Sequence, residues 1–420
     1  MRKYSGNHII LSLLILVCLM VITSCSNDDY LHAVPEGCTA IISVDIPRVA
    51  ENKKGVDANI IKTLFHLSDA SKCGIDMTSK VYLFEDPDGN LGLAAKVKDA
   101  DDFANQLTNL AKKGKCQKVQ KKRGKYFTVL NRTWLIGFND DALLVMGPSV
   151  GSVAQAGLMR TMMKLLDAER GIEESPLYAR LQDIDSPIAM VAQTQALPEQ
   201  FSALFTLGAP RDVSPSDVLI AASLDARDGC LEMSSKVFSF DETIDKSLKE
   251  SEASFRPLQA DYVRQIPDSS FFSIAMNIEG KSLLKMMKDN KTLRAMLTGM
   301  SLSVDADEFV SSVNGNFVMV MPSFDKENIS VLWNADLSQS VNNFDTTGDL
   351  LKHRLSNEGQ KLPAHVVNKS IGKLQYSVIN LNAVDSSKRE ITNALSSLMT
   401  PMFGNVTYIV CSTTFSNDKR

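Results

Sequence analysis

Residues 34–46 read VPEGCTAIISVDI, and residues 266–278 read IPDSSFFSIAMNI. The two align without a gap: Val34 with Ile266, Pro35 with Pro267, Glu36 with Asp268, Asp45 with Asn277 and Ile46 with Ile278. In both, a proline that cannot donate to a ladder stands just ahead of a run of apolar and small residues, which predicts a strand opening after it. The same offset carries on to Leu64-Phe65 against Met296-Leu297, the ends of two helix-like segments. Further along, MTSKVYLFEDPDGNLGLAAKVKDADDFANQL (77–107) has a looser counterpart in GNFVMVMPSFDKENISVLWNADLSQSVNNF (315–344). Each reads strand, polar turn, strand, then an acid-bearing approach to a helix. Self-similarity at this scale points to a duplicated fold.

Working outward, Asp86-Pro87-Asp88-Gly89-Asn90 reads as a hairpin turn, because Pro87 presets φ and Gly89 accepts a positive one. KYFTVLNRTWLIGF and ALLVMG read as further strands ahead of a helix over 151–168. Between the repeats, SPIAMVAQTQ, DVLIAASLDA and CLEMSSKVFSF read as three more strands, with a short helix near Pro198 to Leu207 and a polar helical connector from Asp241 to Ala260. In the second copy, KSLLKMMKDNKTLRAMLTGM sets Leu283, Leu284, Met287, Leu293 and Met296 on or near one helical face. Strands in meanders with segregated helices define the class: α+β, two related modules of largely antiparallel sheets.

The amino terminus sets the location. Arg2 and Lys3 precede an apolar run from Ile9 to Ile22, which ends in the small residues Thr23 and Ser24. This is the layout of a secretory signal, and the run is shorter than the roughly 20 helical residues that a membrane span needs. Ile22-Thr23-Ser24-Cys25 resembles the lipobox of bacterial lipoproteins, in which the cysteine is acylated and becomes the first residue. The other reading is an ordinary signal peptide with a chance cysteine. Acyl chains, each methylene adding about 0.8 kcal/mol of partitioning, would hold the protein on a bilayer without a spanning helix. The expected organisation is then 1–24 lipoprotein signal peptide, 25–33 lipidated tether, 34–170 first module, 171–260 strand-rich continuation and connector, and 261–415 second module.

Together with the lipobox, the stretches YLHAVPEGCTAIISVDI, KCGIDMTSKVYLFEDPDGNLGLAAKVKDADDF and NDDALLVMG resemble an uncharacterised family of lipoproteins from Gram-negative anaerobes, whose domain has no known function. That resemblance implies location and architecture, and no activity. In lipoproteins of that group, acids shortly after the lipidated cysteine are similar to an export signal for the outer face. Asp28 and Asp29 fit it, while Ser26 and Asn27 depart from it. The expected home is the outer membrane, on either its periplasmic or its outer side, with membrane contact through the acyl chains and an envelope protein or glycan as ligand. Asp345-Thr346-Thr347 resembles the short acid-hydroxyl motif of O-glycosylation in the same group, which would modify Thr346.

Composition removes several function classes. With 44% hydrophobic and 22% charged residues and a formal net charge of -4, the chain is an ordinary globular protein with no global affinity for polyanions. Five cysteines remain after Cys18 and Cys25: Cys38, Cys73, Cys116, Cys230 and Cys411. Their odd number and scattered spacing argue against both a disulfide framework and a zinc site, although one bridge between Cys38 and Cys73 is chemically permitted outside the cytoplasm. His32, His66, His353 and His365 are not paired with acids at ligand spacing, and neither metal nor cofactor is expected.

Two local features carry chemistry. GPSVG (147–151) fits the G-x-S-x-G nucleophile elbow between a strand and a helix, so Ser149 would be a hydrolase nucleophile with His353 or His365 as base. Against it, the neighbouring strands read as hairpins and not as βα units, and INLNAVDSSKR, at the matching place of the second module, has no such serine. A strand-to-helix turn with Ser149 or Ser152 as N-cap accounts for the same residues. The second feature is KKGKCQKVQKKRGK (112–125), in which Lys112, Lys113, Lys115, Lys118, Lys121, Lys122, Arg123 and Lys125 could meet an anionic surface. It lacks the interleaved aromatics that single-stranded nucleic acid would use, so no nucleic-acid partner is expected. Methionines at 159, 162, 163, 286, 287, 296 and 300 read either as core or as an adaptable groove.

Overall fold

The computed structural model describes residues 28–51, 73–197, 205–227, 230–259, 270–300, 306–321, 332–337, 374–380 and 408–414, together with Ser202 and Ile266. Residues 1–27, with Cys25, lie outside this set, as do His66, Thr346, His353, His365 and most of the helix expected near Pro198.

Strands β1 (Ala40–Val44), β2 (Val81–Glu85) and β3 (Leu91–Lys96) are followed by helix α2 (Ala100–Lys112), a short helix α1 (Ile46–Glu51) having preceded β2. Then come β4 (Gln120–Lys122), β5 (Lys125–Leu130), β6 (Trp134–Phe138), β7 (Ala142–Gly147), α3 (Ser152–Leu165) and α4 (Pro176–Gln182). Strands β8 (Ile188–Gln193), β9 (Leu219–Arg227) and β10 (Cys230–Phe238) lead to α5 (Glu242–Glu252). The second copy runs β11 (Phe272–Glu279), α6 (Gly280–Asp289), α7 (Lys291–Met300), α8 (Ala306–Ser312), β12 (Val313–Met321), β13 (Leu332–Leu337), β14 (Leu374–Asn380) and β15 (Tyr408–Thr414). The fifteen described strands join one sheet in the order β13-β12-β11-β14-β15-β10-β9-β8-β1-β2-β3-β7-β6-β5-β4. The protein is α+β, and among the described strands only β10 and β15 pair in parallel.

The duplication extends to the pairing register. Ala40 faces Glu85 on β2 and Ala192 on β8, while Phe272, its counterpart, faces Met321 on β12 and Ile379 on β14. One strand further out, Tyr82 faces Ala94 as Val318 faces Asn334, and Ala192 faces Ile220 as Ile379 faces Ile409. Strands β9-β8-β1-β2-β3 therefore repeat, register for register, as β15-β14-β11-β12-β13. A one-residue slip would turn a strand's buried side chains to the wrong face, so shared register follows from a shared inward pattern. This topology corrects one comparison. Residues at INLNAVDSSKR follow β14, the equivalent of β8, and so do not correspond to the turn after β7.

Helices segregate by face in the first half. On one face a 3-10 turn (Asp29–Ala33), α3 and α4 cover Ile41, Tyr82, Phe84, Leu144, Met146 and Val191. On the other, α2 lays Phe103, Leu107 and Leu110 against Ile136, Phe138 and Leu143. Asp99 caps α2 by accepting from the Asp102 N–H at 2.8 Å, Ser175 caps α4 ahead of Pro176, and Asp241 caps α5 through the N–H groups of Thr243 and Ile244. The connector is helical only to Glu252; Phe255 then bridges to Ile278. At the β2–β3 turn Gly89 has φ +80, and Asp86 accepts from the N–H groups of Asp88 and Asn90, at 2.9 and 2.8 Å. Met162 is fully buried and Met159 and Met163 pack against the same core, so the first methionine cluster is core.

The chain just ahead of β1 joins the core as well. Tyr30, Leu31, Ala33 and Val34 are buried, and the Tyr30 hydroxyl donates to the Lys80 carbonyl at 2.9 Å. Residues 30–33, expected within a tether, are thus packed into the fold. Tyr30, Tyr82 and Tyr178 form a row of tilted rings with centroids 6.1 and 6.0 Å apart, and burial pushes all three phenols up, Tyr82 to about 12.

Cys38 and Cys73 do not bridge. Cys38 belongs to the core under α3, and Cys73 to the core under α2 on the opposite sheet face; both are buried free thiols. Two β-carbons on opposite faces cannot meet the ~3.8 Å separation of a disulfide. Burial also raises the Cys38 thiol pKa far above the ordinary range. Alkylation of the native protein should spare both cysteines, and unfolding without reductant should expose two reactive thiols. Loss of two hydrogens in a peptide pair joining 38 to 73 would contradict the fold.

Candidate functional site

Three surfaces could carry function, and each takes its character from the end of the sheet on which it lies. The ends follow from register. Val81, Lys96, Phe138, Ala142 and Lys125 lie at one end, and Glu85, Leu91, Leu130, Trp134 and Gly147 at the other. Asp28 and Asp29 lie at the first end, since Tyr30 bonds Lys80 there, so the chain enters the fold at that end.

The GPSVG turn is at the far end. Strand β7 runs antiparallel to both neighbours, β3 and β6, which removes the parallel strand–turn–helix setting of a nucleophile elbow. The turn is built for its own closure. Gly147 has φ +155 ahead of a cis bond to Pro148, the Ser149 N–H donates to the Thr133 carbonyl at 2.7 Å, and the Gln155 amide donates to the carbonyls of Ser149 and Arg132, at 3.0 and 2.7 Å. Ser149 is buried at 8% exposure. The N-cap of α3 is Gly151, at φ +89, and not a serine, because that backbone conformation suits only glycine. The two histidines proposed as base lie outside the described residues. His32 is at the other end, its Nε2 3.0 Å from Glu173 Oε1, an ion-pair geometry that sequence spacing did not reveal.

At the entry end two clefts adjoin, of about 290 and 330 Å³. Asp29 and Asp141 line both; His32, Asn139 and Glu169 line the first, and Asp76, Lys96, Lys98 and Asp140 the second. Burial pushes the Asp76 carboxyl up, but hydrogen bonds from the Thr78 N–H and hydroxyl and from Ser79, with Lys96 beside it, hold it below the ordinary carboxylate range. Among the described residues no three His, Cys, Asp or Glu side chains are arranged to hold a metal ion.

The basic run forms the lateral margin of the sheet. Lys112 and Lys113 end α2, Lys115 accepts at its carbonyl from the Asn131 N–H near the far end, and Lys122 pairs with Lys125 near the entry end. The run therefore descends the whole sheet edge along β4, the outermost strand. Lys112, Lys113, Lys115, Lys118, Lys121, Lys122 and Arg123 are exposed. Lys125 is not part of that surface: it is 7% exposed and pairs with Asp167 under the sheet end. Lys121 donates to the Tyr126 hydroxyl at 2.9 Å and lies 4.4 Å from its ring centroid, while Tyr126 donates to Asp101 and stacks on Phe138. Lysines on an outermost strand also discourage edge-to-edge pairing with another chain.

The described residues thus form a duplicated antiparallel α+β sheet with a basic margin. Residues 47–359 match the family described as "Domain of unknown function (DUF4836)", and the chain belongs to that family. No curated protein matches it. Among solved structures it is similar to crystal forms IV, III and I of TP0453, at 14, 13 and 13% identity, covering 47, 47 and 48% of this chain and 76, 75 and 75% of that one, with TM-scores of 0.30, 0.30 and 0.29. At those scores the likeness carries nothing further. Among the described residues no helix is long and apolar enough to cross a membrane.

Proposed function

We propose that this chain is a lipid-anchored protein of the cell envelope, held on the outer membrane through Cys25, which acts by binding an envelope protein or glycan and not by catalysis. The observation that carries the binding reading is the antiparallel setting of β7, which leaves Ser149 in a self-satisfied turn without the parallel strand that a hydrolase elbow requires. The anchor is supported by the lipobox-like Ile22-Thr23-Ser24-Cys25. The seating of Tyr30 in the core supports it further, since only a few residues would separate an acylated Cys25 from the fold.

Intact-mass and peptide-mass measurement of the membrane-extracted protein tests the anchor. The expected species begins at an acylated Cys25; an unmodified Cys25 or a retained 1–24 would sink it. A fluorophosphonate probe tests the other half. No Ser149-dependent labelling is expected, and labelling abolished by Ser149→Ala would restore the hydrolase reading.

A further inference from the structure

We infer that the margin formed by the end of α2 and strand β4 is a binding site for a linear acidic polysaccharide, laid along the sheet edge from its far end towards the entry end. The inference deepens the glycan-binding reading above, and takes from the anchored reading only the direction of the membrane.

Four observations lead to it. The seven exposed cations from Lys112 to Arg123 have no acid among them in sequence. Among the described residues none of the seven takes part in an ion pair, whereas Lys96, Lys125, Lys249 and Lys288 each face a carboxylate. Lys121 has Asp101 and Asp140 near it, and cations on this margin that lie clear of acids leave their Coulomb field for an external anion.

Their arrangement is linear. Lys115 meets Asn131, just past one end of β5, and Lys122 pairs with Lys125 at the other, so the run follows the six residues of β5, about 20 Å along the strand direction. On β4 the side chains alternate: Lys121 leans to the α2 face over Tyr126, and Lys122 to the α3 face, with its Nζ 3.6 Å from Met159 Sδ. The margin thus presents charge to both sides of a groove-free ridge, a shape that suits an extended chain.

The same geometry disfavours a bilayer. The entry end, which an anchor at Cys25 would turn towards the membrane, exposes Asp28, Asp29, Asp140 and Asp141 against the exposed Lys98, and of the ridge only its lower cations are near it. A flat anionic surface would meet those acids first and leave Lys112, Lys113 and Lys115 out of reach. Nucleic acid fits less well too. Tyr126, the aromatic ring beside the ridge, is already stacked on Phe138 at 4.8 Å with an interplanar angle of 11° and carries the Lys121 ammonium 4.4 Å from its centroid, so a base would have to displace a neighbour to stack on it.

The test uses the full chain carrying Cys25→Ser, so that its outcome does not depend on acylation, and heparin and polygalacturonate as probes. Two variants divide the ridge: Lys112→Gln with Lys113→Gln and Lys115→Gln at the far end, and Lys122→Gln with Arg123→Gln at the entry end. All five positions are exposed, and an unchanged circular dichroism spectrum would show that both variants fold. Heparin affinity should fall roughly tenfold in each variant, and by about 10²- to 10³-fold in the parent between 50 and 200 mM salt, as expected for release of about five counterions. Affinity unchanged in the far-end variant would overturn the inference, as would no binding of either polysaccharide at 50 mM salt. So would charge-dependent binding to phosphatidylglycerol vesicles or to oligo(dT) that exceeds binding to both polysaccharides. Polysaccharide binding by a protein whose native form proves unacylated would leave this site standing while the anchor fails.

Discussion

Phe138→Ala should lower the unfolding free energy by about 3–5 kcal/mol, the largest loss expected from any single truncation in the first half of the sheet. Phe138 is fully buried on β6, its ring centroid 4.8 Å from Phe103 in an edge-on contact at 73° and 4.8 Å from the stacked Tyr126. Phe103 is the residue by which α2 seats on the sheet, and Tyr126 orients Lys121. The truncation removes both ring contacts at once and leaves a cavity between helix and sheet that rigid strands cannot close. Urea titration should show a lower midpoint with an unchanged m-value. A loss under about 1 kcal/mol would mean that α2 is not held there.

Gly171→Ala should unseat residues 29–34 and cost about 3 kcal/mol, at the upper end for overpacking by a single carbon. The backbone at Gly171 is extended, with φ at -154°, so the argument is about space and not about conformation. A Cβ there would lie 2.5 Å from the Leu31 carbonyl oxygen and 2.6 Å from those of His32 and Val34. Three main-chain oxygens cannot step aside together without breaking the turn closed by the Val34 N–H on the Leu31 carbonyl. Limited proteolysis should then cut near Tyr30 and Leu31 while the rest of the fold stays protected. Gly157→Ala gives the contrast: it is mid-helix in α3 with nothing within 4 Å of the added carbon, and should stabilise by about 0.5–1 kcal/mol. Equal effects at the two glycines would refute the packing described for 29–34.

Much of this fold was legible because period-two alternation and turn chemistry are local signals. Asp86 to Asn90 marked its own hairpin, and the strands at SPIAMVAQTQ, DVLIAASLDA and CLEMSSKVFSF formed where alternation placed them. The alignment of 34–46 with 266–278 led directly to β1 and β11, whose first residues, Ala40 and Phe272, stand at matching places in it. What sequence could not show is which distant segments meet. Nothing local says that Cys38 and Cys73 take opposite faces, that His32 meets Glu173, or that Asp167 draws Lys125 out of a run in which its charge looks like any other. The GPSVG turn misleads for the same reason. Glycine, proline and serine satisfy a tight strand-to-helix turn whatever the direction of the strands beside it, and direction is decided by the register of β3 and β6.

Strand β10 has a consequence for how the chain is made. It pairs antiparallel with β9, its neighbour in sequence, and parallel with β15, the counterpart of β9 in the second copy. Its second flank is completed only by residues 408–413, which leave the ribosome about 180 residues later, some ten to forty seconds at the usual rate of synthesis. Throughout that interval the flank of β10 that β15 will cover, Cys230 to Ser235, leaves its outward amides and carbonyls open. A strand from another nascent copy is shaped to fill it, so holding the chains apart until the carboxyl-terminal strand arrives is a requirement that this topology places on the cell.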